Sequence, residues 1–64
     1  MKLYEWRKKE NKTQQEMADS LGTTQAIYQK WESGETIPRP ESMQKIVEFT
    51  NGEVQPNDFY NVEV

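Results

Sequence analysis

The sequence predicts an all-α fold, a compact bundle of four to five short helices, and three observations predict it. Apolar residues recur at i, i+3 and i+4 through most of the chain, the spacing of a helix face. Glycine, proline and asparagine fall between those stretches, where helix ends are expected. The 64 residues, 33% of them hydrophobic, hold one small domain. A domain of that size buries only about 60% of the surface its unfolded chain exposes, so its core is thin.

Leu3, Tyr4, Trp6 and Arg7 form the stripe of a first helix over about residues 2–10, closed by the polar pair Asn11-Lys12. Thr13-Gln14-Gln15-Glu16 is a capping box, in which a threonine hydroxyl and a glutamate carboxylate each satisfy a free backbone N–H. It opens a second helix over about residues 13–21, with Met17, Ala18 and Leu21 on its apolar face. Gly22 stands where a left-handed residue ends a helix without a Cβ penalty. Thr24 caps a third helix through about residue 32, with Ile27, Tyr28 and Trp31 as inward candidates, and Gly34 closes it. After a loop over residues 35–39, Pro40 takes a first helical position, and a fourth helix carries Met43, Ile46, Val47 and Phe49 as far as Asn51-Gly52. Residues 56–60 suit one last helical turn, whereas the alternation of Tyr60, Val62 and Val64 suits a short strand, and both readings stay open.

The chain has no cysteine and no histidine. Disulfides, thiol and imidazole catalysis, and the usual zinc and haem ligand sets are thereby excluded. No glycine-rich phosphate loop or poised carboxylate pair is visible, so we expect no enzyme, no metal and no cofactor. The first ten residues contain neither the apolar core of a signal peptide nor a membrane span, which predicts a cytoplasmic protein with no membrane partner. The formal net charge is −3. It is unevenly spread. Residues 1–40 hold seven basic and six acidic residues, residues 41–64 hold Lys45 against five acids, and residues 20–31 hold no acid at all. A local surface can therefore accept phosphate although the whole chain is acidic.

Two helices joined at Gly22 look like a helix-turn-helix, and residues 13–34 are similar to the motif of the Cro/lambda-repressor-like (XRE-type) family. Ala18, Gly22, Tyr28 and Trp31 fall on its structural positions. The stretch Leu3–Arg7, the Pro38 loop, the helix from Pro40 and the ending from Gly52 to Phe59 also resemble small phage or prophage members, so the likeness covers nearly the whole chain. It implies one helix-turn-helix DNA-binding domain over residues 1–64, with the motif at about 13–34 and a candidate dimerisation element at 53–64. The chain departs from the family at Tyr28, where a smaller aliphatic residue is common, and Ile27 beside it lies nearer the DNA-facing side.

A helix fits the major groove, where each base pair shows its own pattern of donors, acceptors and methyl groups. Gln25 and Gln29, at i and i+4, share the acid-free face, and a carboxamide pairs bidentately with adenine. Ala26 suits a thymine methyl. Gln14, Thr24, Lys30, Ser33 and Arg39 are the candidates for phosphate and backbone contacts, which fix register, with solvated surface as the other reading for Lys30, Ser33 and Arg39. The resemblance also implies a structural ion pair between Arg7 and Glu32. Trp6 and Trp31 are expected in the core, not as stacking platforms. Val54, Phe59, Tyr60, Val62 and Val64 are the candidate homodimer interface. Together these imply a repressor that binds double-stranded DNA as a homodimer at a near-palindromic operator. The alternative is an antitoxin or adaptor module whose main partner is another protein.

Overall fold

The computed structural model describes residues 1–60. Four α-helices follow one another, α1 (Leu3–Lys9), α2 (Gln14–Leu21), α3 (Gln25–Ser33) and α4 (Pro40–Phe49), and a 3-10 turn spans Pro56–Phe59. No strand occurs among the described residues. The helical-turn reading therefore holds for the start of the tail, while Val62 and Val64, on which the strand reading rested, lie outside the described residues.

Local chemistry sets each boundary. The backbone N–H of Lys2 donates to Glu5 at 2.9 Å, and Arg7, Lys8 and Lys9 place positive charge in the last turn of α1. The capping box of α2 is formed in full: Thr13 Oγ1 accepts from the Glu16 N–H at 3.1 Å, and Glu16 accepts from the Thr13 N–H at 2.8 Å. Gly22 ends α2 at φ +70°, and the Thr23 N–H closes the turn onto the Ala18 carbonyl at 2.9 Å. Thr24 Oγ1 accepts from the Ile27 N–H at 3.2 Å, and Gly34 ends α3 at φ +82°. Pro40 occupies the first turn of α4, where its missing N–H costs no hydrogen bond.

One core holds these elements together. Leu3 and Trp6 of α1, Met17, Ala18 and Leu21 of α2, Tyr28 and Trp31 of α3, and Ile46 and Val54 are buried in it, with Phe49 and Phe59 packed against it. Trp6 meets Phe49 edge-on at 5.4 Å between ring centroids, and Tyr28 meets Trp31 at 6.2 Å. Thr50 closes the bottom of the core. Its hydroxyl donates to the Ile46 carbonyl at 2.8 Å and accepts from the Val54 N–H at 3.2 Å, tying the tail to the end of α4.

Three expectations need correction. Tyr4 faces solvent, 40% exposed, because Leu3 and Trp6 already fill the inward side of α1; its ring lies instead under the Lys8 ammonium one turn on. Ile27 is 45% exposed rather than inward, because Tyr28 and Trp31 set the buried side of α3 and Ile27 lies beyond its edge. Val54 has no exposed surface, so it is spent in the chain's own core and offers nothing to a dimer interface. Phe59 is half-buried on that core, and Tyr60 is exposed.

Candidate nucleic-acid interface

Helix α3 is fixed from its inner side. Tyr28 and Trp31, three residues apart, sink into the core and set the roll of the helix. At 100° per residue this turns Gln25, Ala26, Gln29, Lys30 and Ser33 outward, and all five are exposed. Ala26, Gln29, Lys30 and Ser33 line a shallow depression that ends at Glu35. Both candidate glutamines are thus presented to solvent from a helix whose orientation is set by aromatic packing.

A single carboxylate braces that helix at its last turn. Glu32 accepts from Arg7 Nε at 2.7 Å and from Arg7 Nη2 at 3.3 Å, a two-pronged pair. Gln14 Nε2 donates to the same carboxylate at 3.2 Å, and the Tyr28 hydroxyl donates to it as well. Arg7 Nη1 continues to the Lys12 carbonyl at 3.1 Å. The Arg7–Glu32 pair therefore joins α1, the α1–α2 loop, the first residue of α2, and α3. Burial alone would raise the Glu32 carboxyl, but the hydrogen bonds from Arg7, Tyr28 and Gln14 outweigh it and hold the group below the usual carboxylate range. Burial, and then the bond to Glu32, pushes the Tyr28 phenol well above its ordinary value.

The phosphate candidates differ in how free they are. Thr24 spends an oxygen lone pair on its cap, which leaves the hydroxyl proton available to an outside acceptor. Ser33 donates to the Lys30 carbonyl at 3.1 Å, so its proton is already used. Lys30 and Arg39 are both exposed, one on α3 and one just before α4. Gln14 is half-buried with its amide turned to Glu32. Thr24, Lys30 and Arg39 are thus the better disposed of the set.

The sequence reading did not include the Tyr28 and Gln14 bonds to Glu32. The i, i+4 spacing of Tyr28 and Glu32 was the available signal, since it puts a hydroxyl and a carboxylate on one helix face. The Gln14 bond carries no such signal, because it crosses between helices.

A family model described as helix-turn-helix matches residues 3–56. Among curated proteins, the cryptic phage CTXphi transcriptional repressor RstR of Vibrio cholerae serotype O1 is 45% identical over 47 residues. That alignment covers 73% of this chain and 42% of the repressor, so the match spans less than half the length of that relative. No solved structure matches.

Proposed function

Because the chain belongs to the helix-turn-helix family, we propose that it is a transcriptional repressor that binds duplex DNA by placing α3 in the major groove. The observation that carries this reading is the outward face of α3, where Gln25, Ala26, Gln29 and Lys30 stand exposed on a helix fixed by Tyr28, Trp31 and Glu32. Gln25 and Gln29 pair with adenine edges, Ala26 meets a thymine methyl, and Thr24, Lys30 and Arg39 contact phosphates. Gln14 and Ser33 contribute at the backbone in lesser measure. The likeness to a phage repressor supports repression, and it favours DNA over a protein as the main partner.

Few cations serve this face, so one copy binds weakly. A homodimer doubles the contacts and reads a near-palindrome, with two copies of α3 about one helical turn apart. With Val54 in the core, Tyr60 and the exposed part of Phe59 are the described residues left for the dimer contact.

Selection of the folded protein on a random duplex library at near-physiological salt tests the reading. An enriched palindrome that the Gln25→Ala, Gln29→Ala double variant no longer selects is the expected result. Enrichment of nothing overturns it.

A further inference from the structure

The proposed base readers leave Ile27 unused. It is the third residue of α3 and 45% exposed. Its β-branch restricts χ1 in a helix to essentially one rotamer, so it is a fixed apolar projection. It lies roughly 160° around the helix from Gln25, on the flank facing the α3–α4 loop. An open groove of about 370 Å³ runs there. Ile27, Ile37 and Trp31 form its apolar lining, Ile37 itself being 44% exposed, and Arg39 with three hydroxyl-bearing residues forms the rest. None of the lining residues is acidic.

Such a groove complements a ligand that carries a small apolar group next to negative charge. In the major groove of DNA the exposed apolar group is the C5-methyl of thymine, and phosphates flank it. A recognition helix brings its N-terminal residues closest to the base edges, so Ile27 in the first turn of α3 approaches them from the flank opposite Gln25, at a different base position. We propose that Ile27 is a specificity-determining residue that reads a thymine methyl at a position of its own, while Arg39 holds a neighbouring phosphate. The inference rests on the DNA-binding reading and adds a base position to it.

The test uses the selected duplex with each thymine replaced in turn by deoxyuridine, which pairs in the same way but lacks the methyl. At one thymine the unaltered protein loses about fourfold in affinity, the worth of one buried methyl group. Ile27→Ala binds the unmodified duplex more weakly by a similar factor and loses nothing further at that thymine, while any sensitivity due to Ala26 persists elsewhere. Ile27→Thr, which keeps the branch, falls between the two. Because Ile27 lies outside the buried core and is 45% exposed, thermal melts of both variants stay close to that of the parent, and the deoxyuridine series on the unaltered protein needs no variant. The inference is overturned if no thymine methyl matters to the parent, or if each one matters equally to Ile27→Ala. It is equally overturned if Ile27→Ala keeps its DNA affinity and loses self-association, for the groove then seats protein. A folded parent that selects no sequence overturns the DNA-binding reading and this inference with it.

Discussion

Glu32 receives hydrogen bonds from three side chains, and removing it strands all three donors. Its pair with Arg7 is mostly shielded, with side-chain exposures of 9% and 17%. Breaking such a pair costs about 3–5 kcal/mol. A domain of this length has roughly 3–10 kcal/mol of stability in all. Glu32→Ala is therefore expected to lie near the edge of folding in chemical denaturation at neutral pH; a loss below about 1 kcal/mol would place the pair among ordinary surface bridges. The same site sets acid sensitivity. Folding depresses the Glu32 carboxyl, so its stabilisation is complete above the ordinary carboxylate range and drains away as pH falls through that range and below. Glu32→Gln should show a shallower loss of stability on the acid side. Tyr28 behaves in the opposite sense. Its phenol is raised on folding, so its contribution is intact below pH 10.0, the ordinary value, and is lost as pH rises beyond it. Tyr28→Phe should flatten that alkaline limb in a pH series of denaturation curves.

At the scale of the elements, the helix ends were legible and the helix faces only partly so. Thr13, Glu16, Gly22, Thr24 and Pro40 act on their own backbone neighbours, and local rules suffice for them. Ile27 and Val54 depend on what packs beside them. An apolar side chain beside two buried aromatics reads as core from periodicity, yet the flank of α3 that carries Ile27 borders an open groove and not the packed core. Val54 read as surplus apolar tail, although Thr50 folds that tail back under the core. The outward set on α3 was legible because Tyr28 and Trp31 leave only one exposed arc. The turn between α2 and α3 offers a direct check. Among the described residues a Cβ on Gly22 would meet only the Lys45 ammonium, at 3.7 Å, so the cost of Gly22→Ala is conformational and not steric. A loss of about 1–2 kcal/mol is expected in thermal denaturation, and a smaller one for Gly22→Asn, which tolerates the left-handed region better.

For the whole molecule, the separation of charge decides how binding responds to salt. Lys30 and Arg39 are exposed and make no ion pair among the described residues, and they are the cations proposed to meet phosphates, whereas Lys9 is engaged by Glu53 at 2.6 Å. A dimer using two such cations per copy should show a slope of log affinity against log salt of roughly −4, shallow for a DNA-binding protein. Lys30→Ala or Arg39→Ala should weaken all sequences alike and lower that slope by about one per lost contact, while Gln25→Ala or Gln29→Ala should cost about 1–3 kcal/mol on the preferred site alone. Affinity measured on specific and random duplexes from low to physiological salt separates the two classes.

The two indoles stand in different surroundings. Trp31 lines the groove beside α3, whereas Trp6 is held by Glu53 through its ring N–H at 3.0 Å, where α1 meets the tail. Light emitted by Trp31 should therefore dim when a duplex covers α3, while emission from Trp6 follows the docking of the tail onto α1. The chain carries its own pair of fluorescent reporters, one for binding and one for folding, and single Trp→Phe substitutions tell their signals apart.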